Sequence, residues 1–225
     1  LIDGSLDVLV QANKACVLYL NGEYWGIYFI REKADENFIS QHINVNKDSV
    51  TVLRGNGRSE FGSSSSYKSF FSKAKSIDMT ISDNYKYVTD HIDINSYIDY
   101  YIAEIYTGNR DLINVRFYKS TESDNKWHWI VFDLDYGFDY PYTKHYYGLK
   151  TMLQEGGIGK EQTIDNSLLI HLFDNEEFRD LFLTRLGFYL NSVFVEDNVI
   201  ALIDDFNNRI SSEIKRNASR WNFSV

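Results

Sequence analysis

Cysteine occurs once in these 225 residues, at Cys16, so no internal disulfide can form and the redox compartment is left open. The residue lies in the apolar run Ala15-Cys16-Val17-Leu18 and reads as part of the core. Proline is equally scarce, with Pro141 alone. No apolar run approaches the about 20 residues that a membrane span needs. Basic residues are in deficit: 23 Lys and Arg stand against 32 Asp and Glu, for a net charge of -9. That balance excludes ordinary duplex nucleic-acid binding, which uses a basic face. It suits a cationic partner, or a metal that neutralises clustered carboxylates. No Gly-x-Ser-x-Gly element marks a serine nucleophile. The five histidines, His42, His91, His128, His145 and His171, lack zinc-ligand spacing. An initiator Met and a signal peptide are also missing. The chain starts abruptly at Leu1-Ile2-Asp3-Gly4 and reads as a fragment, truncated at both ends.

What is abundant is aromatic: 17 Tyr, 15 Phe and 4 Trp. Such rings bring large areas to bury, and most fall at core spacing. Residues 15–20 and 25–31 are apolar and aromatic, and Asn21-Gly22 between them predicts an antiparallel hairpin. Glu32 to Gln41 reads as a short helix with Phe38 and Ile39 facing inward. A third strand is expected at Ser49–Leu53. It leads into a polar loop, Arg54-Gly55-Asn56-Gly57-Arg58-Ser59, whose serine continuation (63–66) caps a helix near Tyr67. Ile94, Ile98, Tyr101, Ile102 and Ile105 form a helical stripe that Thr107-Gly108-Asn109 ends. Asn114–Lys119 and Lys126–Phe132 alternate around Glu122-Ser123-Asp124-Asn125 as a second hairpin. A Gly- and Tyr-rich loop follows, from Asp133 to about Gly159. Helices fill the remainder, the last near Val199–Ile214 with Asp197 as cap. The fold class is α+β, with a strand-rich front part and a helical back part.

Two stretches carry chemistry: residues 108–118, Gly-Asn-Arg-Asp-Leu-Ile-Asn-Val-Arg-Phe-Tyr, and 127–138, Trp-His-Trp-Ile-Val-Phe-Asp-Leu-Asp-Tyr-Gly-Phe. A helix delivers Asp111 in a loop, and Asn114 opens a strand. A hairpin then returns the chain, so that Asp133 and Asp135 emerge beside Asn114. Strand residues alternate between faces, so Asp133 and Asp135 are expected to share a side while Leu134 points away, and four oxygen-bearing side chains converge. Few carboxylates, one amide oxygen and room for water and phosphate describe a Mg²⁺ arrangement. Protein kinases use the same parts in the same order: a base Asp, a metal-holding Asn, then a second metal-holding Asp.

These residues resemble the CotH kinase family, known from spore coats and from secreted proteins. Leu20-Asn21-Gly22-Glu23-Tyr24-Trp25-Gly26-Ile27-Tyr28 resembles its hairpin, and Arg31-Glu32-Lys33 the charged triplet after it. Asp111-Leu-Ile-Asn114 resembles its Asp-x-x-Asn strand entry, and Trp129-Ile-Val-Phe-Asp133-Leu-Asp135-Tyr-Gly137 its Trp-Asp-x-Asp element. Arg220-Trp221 fits a pattern near the family's end. The resemblance implies a divergent protein-kinase-like fold, with residues 1–90 as the remainder of an N-lobe-like part. Residues 91–225 would then be a helical catalytic part carrying the hairpin 114–132. It implies Asp111 as catalytic base, Asn114 and Asp133 as metal ligands, and Asp135 as a further metal carboxylate. Glu32, Lys33 and Arg54 are the candidate nucleotide contacts. The implied cofactors are ATP with Mg²⁺ or Mn²⁺. The implied partner is a Ser/Thr-containing coat, envelope or secreted protein, met outside the cell or at the cell or spore surface. Oligomeric state is not legible. Family members carry an upstream lysine-rich strand with no counterpart here. The alternative is therefore a non-catalytic surface module for recognition or adhesion. A third reading is a nucleotidyl or glycosyl transferase using Asp133-x-Asp135.

Overall fold

Strands that carry apolar side chains on both faces need cover on both, and the sheet of the larger unit has it. The computed structural model describes residues 1–109, 111–138, 147–154 and 164–224. The chain forms two compact units, residues 2–10 with 34–187 and, smaller, residues 1, 11–33 and 188–225.

In the larger unit the sheet contains β1 (Leu9–Val10), β4 (Val50–Arg54), β5 (Arg58–Phe61), β6 (Arg116–Ser120) and β7 (His128–Val131). The spatial order is β1-β7-β6-β4-β5, with β1 parallel to β7 and the other pairs antiparallel. The inward residues of one face, Val50, Val52, Tyr118 and Ile130, pack with Ala34, Phe38 and Ile39 of helix α1 (Glu36–Ile43) and the residues before it. Leu53, Phe117 and Trp129 alternate with them and are buried too. Phe117 stacks on Trp129 at 5.5 Å, and Trp129 meets Tyr97 of α4 (Ile94–Thr107) edge-on at 4.7 Å. Helix α4 is buried on nearly every side, which explains an apolar stripe wider than one face. Helices α2 (Ser65–Ala74), α3 (Ser82–Thr89), α5 (Gly148–Met152), α6 (Ser167–Leu172) and α7 (Glu176–Leu190) complete the helical part, the last residues of α7 belonging to the smaller unit.

The smaller unit pairs β2 (Asn13–Leu20) with β3 (Glu23–Arg31) around Asn21 and Gly22, both left-handed at φ 52 and φ 83. Helix α8 (Glu196–Trp221) lies against this hairpin. A Cβ on Gly26 would come within 2.5 Å of Asn217 Oδ1, so glycine there permits the approach. Asn217 Oδ1 accepts the Ile27 N–H, and the Trp221 indole donates to the Trp25 carbonyl. Arg220 lies over the Trp25 ring at 4.6 Å.

An α+β architecture is therefore present, with differences in detail. Residues 58–61, expected as loop, pair as β5. The reversal at Gly55 and Gly57 (φ 56 and φ 86) makes the polar run a hairpin turn. Helix α1 begins at Glu36 with Asp35 as cap, four residues later than expected. Helix α8 extends beyond both expected ends, and Asp197 lies in its first turn while Val195 occupies the cap position. Cys16, read as core, is only half-buried on its strand. The Gly- and Tyr-rich loop lies in large part outside the described residues, and within it Gly148–Met152 is helical. Among the described residues no helix is long and apolar enough to cross a membrane.

Candidate active site at the open end of the second ribbon

Helix α4 stops because Gly108 adopts left-handed backbone, φ 67 and ψ 28, which costs glycine little. The Asn109 N–H then reaches back to the Glu104 carbonyl at 3.2 Å. This reversal tucks Asn109 into the protein, 1% exposed. Its side chain joins two segments: Nδ2 donates to Glu104 Oε2 at 2.8 Å, and Oδ1 accepts the Asp111 N–H at 3.1 Å. Asp111 opens a single 3-10 turn, Leu112–Asn114, anchored by the buried Leu112.

The other side of the site comes from the end of β7. The strand stops at Val131, and Asp133 takes φ 61, a left-handed conformation that Asp tolerates better than most residues. Asn114 lies between the two acids. Its Nδ2 donates to Asp111 Oδ2 at 3.0 Å and to Asp133 Oδ2 at 2.9 Å. One amide thus gathers carboxylates from the loop before β6 and the loop after β7.

Asp135 does not share a strand face with Asp133. The strand has already ended and the left-handed residue breaks the period of two, leaving Asp135 exposed in the turn at residues 135–138. That turn docks on the end of α4. The Phe138 N–H donates to the Thr107 carbonyl at 2.7 Å, and a Cβ on Gly137 would lie 3.0 Å from Thr107 Cβ. The Phe138 ring meets Tyr106 edge-on at 5.7 Å.

The Asn114 amide and the Asp133 carboxylate are side chains of the kind a hard divalent ion takes, with Asp111 beside them. Neighbouring oxygens around octahedral Mg²⁺, bonded at about 2.1 Å, stand about 3.0 Å apart. The Asn114 amide nitrogen already sits 3.0 and 2.9 Å from the two carboxylates, and turning the amide over offers oxygen instead.

Arg54 ends β4 and faces Arg116 across the β4–β6 pair. Glu60 lies 3.6 Å from Arg54 and 3.3 Å from Arg116. Arg116 also donates to the Ala34 carbonyl at 2.6 Å and lies over the Phe132 ring at 4.2 Å. Glu32 is not in a first helical turn. Its Oε2 accepts the Ala12 N–H at 2.8 Å and its own N–H donates to the Ala12 carbonyl at 3.1 Å, so it closes the open end of the first hairpin. Glu32 and the exposed Lys33 belong to the smaller unit, whereas Arg54, Asp111, Asn114, Asp133 and Asp135 belong to the larger.

Sequence reasoning missed Glu104, Asn109 and Arg116. Each had a signal: an acid inside the otherwise apolar run 100–106, an Asn directly after the helix-ending Gly, and a cation two residues after Asn114. It also missed a second polar cluster at the far end of β7. There Asp93, Asp124 and His128 bring ligand atoms within 4.8 Å of one another. Each has a structural partner. Asp93 caps α4 by accepting the Ser96 N–H at 2.8 Å, while Asp124 accepts the Lys126 N–H at 3.0 Å and pairs with His128 Nε2 at 3.0 Å.

Compared with known protein families, residues 3–225 match the one described as CotH kinase protein. No curated protein matches the chain.

Proposed function

As the chain belongs to the CotH kinase family, we propose that it is an ATP- and metal-dependent phosphotransferase acting on Ser or Thr of a coat, envelope or secreted protein. The observation that carries this reading is the Asn114 amide holding Asp111 and Asp133 at 3.0 and 2.9 Å. The larger unit is kinase-like in its logic: a loop Asp, an Asn three residues on, and a second acid after a ribbon. Asp111 accepts the hydroxyl proton as the substrate oxygen bonds to the γ-phosphorus and ADP departs. Asn114 Oδ1 and an Asp133 oxygen would hold Mg²⁺ or Mn²⁺, with Asp135 as a further carboxylate in the adjoining turn. When bound, the ion neutralises charge on the β- and γ-phosphates. Arg54 is the proposed phosphate-contacting cation, because its strand pairs with the one that follows Asn114. The place of action is the outside of the cell, or the cell or spore surface.

Calorimetry with ATP and Mg²⁺ or Mn²⁺ tests the reading. Wild-type protein gives metal-dependent heat, Asp133→Ala loses it, and Asp111→Ala keeps it while losing phosphate transfer. A wild type without metal-dependent heat would leave the recognition module in its place. A product heavier by AMP or a sugar, rather than by phosphate, would make the protein a different transferase.

A further inference from the structure

Glu104 stands where a carboxylate is unwelcome. It lies in the last turn of α4, where the helix dipole disfavours negative charge, and it is 1% exposed. An apolar residue would serve the core better at that place, so the acid needs another reason. Its surroundings supply one. Tyr100 O–H and Asn109 Nδ2 both donate to the carboxyl. The second bond decides which way round the Asn109 amide lies. With Nδ2 committed to Glu104, Oδ1 is turned towards the Asp111 N–H, at 3.1 Å. Burial pushes the Glu104 carboxyl up to about 7, the Asn109 and Tyr100 hydrogen bonds oppose the rise, and the charge of Asp111 adds to it.

We propose that Glu104 is a positioning residue of the active site, acting through Asn109 to fix the backbone that carries Asp111. This inference rests on the phosphotransfer reading for its catalytic meaning, but the clamp itself is a statement about geometry. Glu104 touches neither substrate nor ion. Its effect is on where the Asp111 carboxylate points when the substrate hydroxyl arrives. Misplacing a reacting group by about 1 Å can cost on the order of 100-fold in rate. The expected signature is therefore a fall in kcat with little change in nucleotide binding.

The experiment uses Glu104→Leu, which removes the acceptor, and Glu104→Gln, which keeps an acceptor oxygen and discards the charge. Two readouts are followed: steady-state phosphate transfer, and the Asp111 amide resonance in ¹H–¹⁵N spectra. The expected result for Glu104→Leu is a kcat lower by about 10- to 100-fold, KM for ATP within about twofold, and a displaced Asp111 amide. Glu104→Gln returns kcat to within about threefold and restores the resonance. Should Glu104→Leu fail to fold, Asn109→Ala breaks the same link, with the same expected pair of changes. An unmoved Asp111 amide with unchanged kcat overturns the proposal, as does a loss confined to KM. A wild type that transfers no phosphate while the amide still moves sinks the kinase reading and leaves the clamp standing.

Discussion

The two ends of helix α4 and the ribbon beside it are both rich in carboxylates, yet they are built on opposite terms. At the turn end, carboxylates meet a guanidinium, an imidazole or helix N–H groups. Asp93 caps α4, Asp124 pairs with His128, and Asp99 is clamped by Arg185 at 2.8 and 2.5 Å. At the open end, Glu104 meets an amide and a phenol, and Asp111 and Asp133 are drawn together by the amide of Asn114. The first arrangement is complete without a ligand. In the second, neutral dipoles bring carboxylates close, and a divalent ion would relieve their repulsion. On the proposed reading, the difference separates acids that hold the fold from Asp111 and Asp133, the pair assigned to phosphate transfer.

The strongest way to break that comparison is to exchange the fates of the two ends. Asp111→Ala is expected to lower phosphate transfer by about 10²- to 10⁴-fold, the range of a lost general base. Asp124→Ala, at the turn end, should leave transfer within about twofold. Radiolabelled ATP and a generic Ser/Thr protein substrate provide the assay. Equal losses in both variants would erase the distinction.

The next effect belongs to stability. Removing Arg185 takes the cation from Asp99, which is 0% exposed and keeps the Asp7 N–H at 2.7 Å, and breaking a buried ion pair by removing one partner costs about 3–5 kcal/mol. Arg185→Leu is therefore expected to fall by that amount in urea denaturation. A loss below about 1 kcal/mol would show the Asp99–Arg185 pair to be dispensable.

The parts of this contrast differ in how plainly the sequence displays them. Asn21-Gly22 declares a hairpin because few dipeptides accept two left-handed residues, and Gly108 declares a helix end for the same reason. Phe38 and Ile39 are inward because helix α1 presents them side by side to the sheet. Asp111, Asn114 and Asp133 are close because a short turn and an antiparallel ribbon bring nearby segments together. Strand β5 was hidden by its composition: Arg58-Ser59-Glu60 is an exposed edge with no apolar alternation to reveal it. The conformation of Asp133 was hidden too, since nothing local announces a left-handed aspartate. That single dihedral sends Asp135 to the surface. Glu104 and Arg185 are harder still. Their partners are fixed by tertiary packing, and an acid on a helix reads as solvated until its neighbours are known.

Titration sharpens the contrast further. Glu104 has an ordinary value of 4.5 in the unfolded chain and is pushed up to about 7 when folded, chiefly by burial. The native state therefore holds its proton more firmly. Its contribution to stability is full below about 4.5 and is lost as pH rises through about 7. Each tenfold gain in proton affinity is worth about 1.4 kcal/mol, so the loss amounts to roughly 3 kcal/mol at most. Glu104→Gln cannot ionise, so its stability relative to wild type is expected to rise from pH 5 to pH 8. Urea denaturation across that range measures it. Parallel curves for the two proteins would mean that burial does not perturb this carboxyl.

The smallest effect concerns the backbone at the open end. Asp133 holds φ 61, a region where a Cβ crowds the following carbonyl and where glycine is at ease. Three replacements separate backbone strain from the lost carboxylate. Asp133→Asn keeps local hydrogen bonding and tolerance of the left-handed state. Asp133→Gly removes the strain along with the side chain, and Asp133→Ala removes the side chain but retains the strain. All three lose metal-dependent ATP binding if the carboxylate is the ligand. In stability, Ala is expected to lie below Gly by about 1 kcal/mol, with Asn between them. If Ala equals or exceeds Gly, the turn relaxes to an ordinary conformation once the side chain is gone. The left-handed state at Asp133 would then be imposed by the contact with Asn114 rather than by the docking of residues 135–138 on helix α4.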